Sequence, residues 1–307
     1  MNELRIASFL PAATEMVYAL GLGDQLVGRS HECDFPPEAK DKPVVVRCAM
    51  DLEKLGLAEI DAAVSERVGR GESVYAVDEE MIRRVSPNLI ITQDLCHVCA
   101  PSGNEITKVL STLSPKPEIL WQTPHSFQDV LDAVLELGVK TRREEEAHRV
   151  VQEARSKVDS IALKTSVLKY RPRVFFLEWV DPVYCGGHWI PSMINWAGGR
   201  DDLAISGADS IRMSWEAVLK WDPEILLVAP CGFRTEQAWE QIQFLRKKSG
   251  WSSITAVRDG KVFALNANAY FAKPGLRLAE GVELLAHLIH PDLIPWSGPG
   301  DAFRAFD

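Results

Sequence analysis

The chain has 307 residues, 46% of them hydrophobic and 25% charged, the make-up of an ordinary globular protein with room for a substantial core and more than one domain. Its net charge of -9 argues against nucleic-acid binding, which calls for a basic face. No apolar run approaches the ~20 residues of a membrane helix, which argues against a chain embedded in the bilayer by helices.

The amino end, Met1-Asn2-Glu3-Leu4-Arg5, runs straight into an apolar stretch. It has neither a basic region nor a separate hydrophobic segment, so the sequence as written predicts a cytoplasmic protein, and a periplasmic or extracellular one if the chain has been trimmed. Residues 5–10 read as a buried strand, and residues 12–20 as a helix ended by Gly21 and Gly23. A second strand over 25–29 runs into the loop Ser30-His31-Glu32-Cys33-Asp34-Phe35-Pro36-Pro37, and a third over 44–47 ends at Cys48. Helices follow over 57–67 and 78–85. The apolar run 88–91 then empties into Gln93-Asp94-Leu95-Cys96-His97-Val98-Cys99-Ala100, a Cys-x-x-Cys pair beyond a strand. A helix over 105–113 and a strand over 118–121 complete the first part. From 126 to 164 only Gly138 interrupts helix-forming residues, which predicts a long, charged, solvated helix between two lobes.

After it the pattern restarts. Arg173-Val174-Phe175-Phe176-Leu177 repeats the first strand, and a helix carrying Met193 to Leu203 repeats the first helix. Glu80 to Ile91 aligns with Glu216 to Leu227, with the glutamate and a proline (Pro87, Pro223) at the same spacing in both. A strand over 261–265, a loop over 266–273 and a helix over 276–289 close the chain. The expected fold is therefore α/β: two Rossmann-like lobes, 1–125 and 171–307, joined by one long helix within 126–170. Ligands of open α/β sheets bind off the carboxyl ends of strands, so the ligand is expected in a cleft between the lobes.

Leu10-Pro11-Ala12-Ala13-Thr14-Glu15 with Ala19-Leu20-Gly21-Leu22-Gly23, the paired glutamate-to-proline units and Lys273-Pro274-Gly275-Leu276-Arg277-Leu278 resemble the class III substrate-binding proteins of ABC importers across essentially the whole chain. That resemblance implies a binding protein, not an enzyme, and membrane subunits of a transporter as partners. Ser30 to Asp34, Gln93 to Ala100, Glu178-Trp179-Val180-Asp181-Pro182 and Pro230-Cys231-Gly232-Phe233 resemble the branch labelled cobalamin-binding, which implies a corrinoid ligand. It also implies that Glu80 and Glu216, one per lobe, dock onto the transporter.

The residues themselves leave two readings of the site. Cys33, Cys96, Cys99 and Cys231 each follow a predicted strand, and four thiolates suit zinc or an iron–sulfur cluster in a metalloprotein acting as sensor, carrier or redox protein. Alternatively, Trp179, Tyr184, Trp189, Trp215, Phe233 and Tyr270 wall a pocket for a flat macrocycle, with His31 or a thiolate as axial ligand to cobalt and His188 beside it. Cys48 is set aside and the role of Cys185 is open. A catalytic reading finds no phosphate loop, nucleophile elbow or zinc helix in the sequence.

Overall fold

In the computed structural model, which describes residues 3–52, 55–93 and 113–306, the apolar runs become two separate sheets. The chain divides into two compact units, Met1–Pro124 with Gln128–Val151, and His125–Phe127 with Gln152–Asp307. The helix expected over 105–113 and the Cys96–Cys99 loop fall almost wholly outside the described residues.

The first unit holds β1 (Ile6–Ser8), β2 (Leu26–Ser30), β3 (Val44–Cys48), β4 (Tyr75–Val77), β5 (Leu89–Thr92) and β6 (Glu118–Trp121), in the order β4-β3-β2-β1-β5-β6. Every pairing is parallel except β3 with β4. Strands covered on both faces read as unbroken apolar runs, and all four residues of β5 are buried. The three-residue β4 has no such run, so it leaves no strand signal in the sequence. Pro11 opens α1 (Pro11–Ala19), where its fixed φ suits a first helical turn. Helices α2 (Leu57–Gly69) and α3 (Glu79–Val85) follow, and Ile82 and Val85 of α3 join Ala7, Phe9, Val45, Val46 and Ile90 in one core.

The expected long helix is two helices, α4 (Phe127–Thr141) and α5 (Glu144–Ser166). The break is at Arg142, which adopts φ 58, and not at Gly138. Gly138 serves close packing instead. A Cβ there would meet the Ala147 Cβ at 2.5 Å and the Arg143 carbonyl oxygen at 3.1 Å, so the glycine lets α5 fold back against α4. The last boundary between the units falls within α5, with Glu144–Val151 in the first unit and the rest in the second.

The second unit holds β7 (Val174–Val180), β8 (Val183–Cys185), β9 (Ile225–Val228), β10 (Val262–Leu265) and β11 (Phe303–Ala305), in the order β11-β10-β9-β7-β8. The three central strands are parallel and both edges antiparallel. Its helices are α6 (Ile190–Trp196), α7 (Trp215–Trp221), α8 (Thr235–Leu245), α9 (Thr255–Arg258), α10 (Ala267–Tyr270) and α11 (Leu278–Ile289). The stretch expected as a loop before α11 contains α10, a single turn whose first amides are capped by Asn266 through a 3.1 Å bond to the Ala269 N–H.

The repeat extends to single hydrogen bonds. Asp78 caps α3 by accepting from Met81 N, and Ser214 caps α7 by accepting from Ala217 N. Each helix ends on a left-handed residue, Ser86 at φ 42 and Asp222 at φ 50. In the first unit, Arg5 donates Nε to the carbonyls of Val85 and Ser86, while its own N–H donates to Asn88 Oδ1 at 2.9 Å. In the second, Arg173 donates Nε to Asp222 O at 2.8 Å, and its N–H donates to Glu224 Oε2 at 3.0 Å. Glu80 and Glu216 are therefore equivalent: each is exposed and sits two residues past its cap.

Candidate functional site

In the second unit the carboxyl ends of the parallel strands are knitted together by backbone bonds. Ala229 N donates to Leu177 O and Cys231 N to Glu178 O, both at 3.0 Å, and Asn268 N donates to Phe233 O at 2.9 Å. These bonds bring Trp179, Cys231 and Phe233 to one place. Trp179 and Phe233 meet edge to face with ring centres 5.9 Å apart, in the geometry that aromatic quadrupoles favour. Cys231 is exposed. The Trp179 indole N–H is buried, and among the described residues it has no hydrogen-bond partner. A buried donor left unpaired costs free energy, so it marks a position where a bound acceptor would be favoured.

Behind these residues the β7–β8 hairpin is held by a polar latch. Ser210 Oγ donates to Glu178 Oε1 at 2.7 Å, and Gly187 N donates to Glu178 Oε2 at 3.3 Å. The segment 208–213 continues the sheet edge: His188 N donates to Ala208 O at 2.6 Å and Met213 N to Val183 O at 2.9 Å. Burial raises the Glu178 carboxyl above its ordinary value, against the lowering effect of Ser210 and the Gly187 N–H. Burial raises the Cys185 thiol as well, helped by Asp201 and Glu178. A buried thiol held neutral is a packing group rather than a nucleophile or metal ligand.

The other predicted residues of this unit are scattered. Trp189 is 5% exposed and its indole donates to Phe271 O at 2.8 Å, and Tyr270 is 8% exposed against Trp296, so both belong to the core. Trp215 stacks on Trp251 at 6.4 Å and donates to Ser249 O at 2.9 Å, in a cluster of its own. Tyr184 pairs across the edge with Arg212. His188 takes φ 51 and stacks on His125 at 6.1 Å, with Nε2 3.2 Å from Asp209 Oδ1. Burial lowers its pKa, Asp209 opposes that, and His125 adds to it, so neutral imidazole is favoured.

In the first unit the loop after β2 is anchored by buried Arg29, which donates to the carbonyls of Lys42 (3.2 Å), Ser30 (3.0 Å) and Lys40 (2.9 Å). Half-buried His31 lies with its ring 6.2 Å from that of Tyr75, whose hydroxyl donates to Glu32. Cys33 has no exposed surface and its sulfur accepts from Thr14 Oγ1 at 3.0 Å. Cys96 and Cys99 lie outside the described residues. Among the described residues, which exclude Cys96 and Cys99, no three His, Cys, Asp or Glu side chains gather to hold a metal ion. Sequence reasoning missed the part played by Ser210 and Gly187, which meet Glu178 only through the hairpin, and by Asp201, which acts on Cys185.

The sequence profile of the family described as periplasmic binding protein matches residues 6–269. A Bacillus subtilis ABC transporter substrate-binding lipoprotein, YvrC, is 24% identical over 94% of this chain and 80% of its own length. A vitamin B12-binding protein of Vibrio cholerae is 24% identical over 91% of this chain and 86% of its own. Among solved structures, the periplasmic vitamin B12 binding protein BtuF of Vibrio cholerae superposes with a TM-score of 0.67 at 22% identity, covering 93% of this chain and 96% of its own. A periplasmic heme binding protein of Pseudomonas aeruginosa superposes with a TM-score of 0.75 at 17% identity, over 99% and 98%. Names such as lipoprotein and periplasmic give no support to the cytoplasmic location expected from the amino end. No helix among the described residues is long and apolar enough to cross a membrane.

Proposed function

Because the chain belongs to the periplasmic binding protein family, the class III substrate-binding proteins of ABC importers, we propose that it binds a corrinoid at the carboxyl ends of its parallel strands and delivers it to a transporter. The observation that carries this reading is the Trp179–Phe233 pair with its unpartnered indole N–H and the exposed Cys231 beside it. A flat macrocycle offers such rings a broad apolar face, its amide side chains offer acceptors to the indole, and cobalt takes a thiolate as axial ligand. The relatives named vitamin B12-binding proteins, matched over most of both chains, support the same ligand class.

Hydroxocobalamin titrated into the protein should produce saturable binding heat and a shift in its visible spectrum. Trp179→Ala is expected to weaken binding roughly 3- to 10-fold, the range for loss of one aromatic stacking partner. Cys231→Ala should remove the spectral shift while leaving most of the heat. Heme is the control ligand: binding of heme with no response to hydroxocobalamin would reject the corrinoid.

We assign Glu80 and Glu216 to transporter docking, one carboxylate at the same exposed first-turn position in each unit. Charge reversal to lysine at both is expected to abolish ligand-dependent ATPase stimulation of the cognate importer while hydroxocobalamin affinity stays within about twofold, since rim charges act mainly on the partner they face. Undiminished stimulation would show that docking uses other residues.

A further inference from the structure

One group of residues in the second unit takes no part in the site above. Three of the nine tryptophans in the chain, Trp215, Trp239 and Trp251, gather with Phe244 and Phe306 around the end of α8. The rings carry cations. Lys248 lies 6.0 Å from the Trp215 ring centre and 5.8 Å from that of Phe244, Arg246 lies 5.9 Å from Phe306, and Arg304 lies 4.1 Å from Trp239. Arg246-Lys247-Lys248 is the one run of three consecutive basic residues in a chain whose net charge is -9. Phe244 is 45% exposed, Arg246, Lys247 and Arg304 are exposed, and Trp215, Trp239 and Phe306 are half-buried.

Indole and phenyl rings interleaved with lysine and arginine match a boundary that is apolar below and anionic above. Amphipathic rings settle at headgroup level, and basic side chains are drawn to acidic lipid. Glu236 is bound to Arg304 at 2.8 Å, and no acidic residue lies between Glu240 and Asp259 in the chain. Residues 241–258 therefore carry four basic side chains and no carboxylate. We propose that this face of the second unit rests on an anionic lipid surface, with Lys247 and Lys248 at the headgroup phosphates and Phe244 entering the interface. Trp215 thereby acquires a role at a surface, in place of the ligand-binding role expected from sequence. The lipid inference stands without the transporter.

The test is flotation of the full chain with vesicles of phosphatidylcholine alone and of phosphatidylcholine with phosphatidylglycerol, at low salt and with no transporter present. The chain should float with the anionic vesicles and stay behind with the neutral ones. Binding should be lost near 1 M salt, where the screening length shrinks to about 3 Å. Lys247→Glu with Lys248→Glu should cut the bound fraction roughly tenfold or more, and Phe244→Ser should cut it at low salt as well. Circular dichroism would confirm that the variants are folded. Equal partitioning onto both vesicle types, or wild-type flotation of the double variant, would overturn the proposal. An acidic protein partner as the true occupant would leave the chain behind with both vesicle types, which also overturns it. The readout involves neither hydroxocobalamin nor the importer, so its failure is distinct from failure of the corrinoid or docking assignments.

Discussion

Gly187→Ala is expected to lower the unfolding midpoint of the second unit by roughly 3–10 °C, about 1–3 kcal/mol of overpacking. A Cβ at position 187 would stand 2.6 Å from the carbonyl carbon of Asp209 and 2.8 Å from the carbonyl oxygen of Ala208. These are backbone atoms, and they cannot rotate away as a side chain would. The strand-like segment 208–213 would have to shift, which would strain the His188 N to Ala208 O bond and draw Ser210 off Glu178. Leaving the Glu178 oxygen without its hydroxyl donor adds to the cost, because a buried carboxyl in a weaker hydrogen-bond field is harder to keep. Differential scanning calorimetry of the two proteins decides the matter. A midpoint within 1 °C, about the reproducibility of such a shift, would mean that the 187–210 approach can relax at little cost.

Asp201→Asn is expected to stabilise the protein at neutral pH and to do nothing near pH 4. The Asp201 carboxyl is raised from 3.8 to about 6, first by burial, against the N–H groups of Leu203 and Ala204 that would lower it. Its Oδ1 accepts from Leu203 N at 3.0 Å, while buried Oδ2 has no partner among the described residues. A folded value above the unfolded one means that the folded state holds the proton more tightly. Stability is therefore lost as pH rises from about 4 through about 6, and the penalty remains above that. The gap between 3.8 and about 6 is worth up to about 3 kcal/mol. Asparagine keeps the acceptor for Leu203 and carries no charge, so the variant should lack this slope and exceed the parent by ~1–3 kcal/mol at pH 7.5. Urea unfolding at pH 4, 5.5 and 7.5 would measure it. Parallel pH profiles for the two proteins would dismiss Asp201 as the cause. Burial also raises Glu178, so a residual slope of the same sign is expected in the variant.

Long apolar runs were legible in the sequence, and their local logic explains why. The run at Leu89–Thr92 and its counterpart at Ile225–Val228 are buried on both faces, and such strands carry hydrophobicity at every position. The glutamate-to-proline spacing likewise held, because each unit closes its helix on a left-handed residue and satisfies an equivalent arginine donor, Arg5 or Arg173. Edge strands too short to carry a period were not legible: β4, β8 and β11 have three residues each and exist through their neighbours' hydrogen bonds. The break between α4 and α5 misled for another reason. Gly138 looked like a helix breaker, but its missing side chain makes room for Ala147.

The site divides along the same line. By itself the sequence determined an α/β chain with a duplicated plan, a place beyond a strand end for Cys231 and Phe233, and two matched glutamates, because strand periodicity and capping act over a few residues. Tertiary structure alone decided which aromatic residues stay at the surface. Trp189 and Tyr270 went to the core and Trp215 to a separate basic face, since burial depends on what arrives from elsewhere in the chain. It alone also brought Ser210 and Gly187 to Glu178 across 32 and 9 residues of sequence, a latch with no local signature to read.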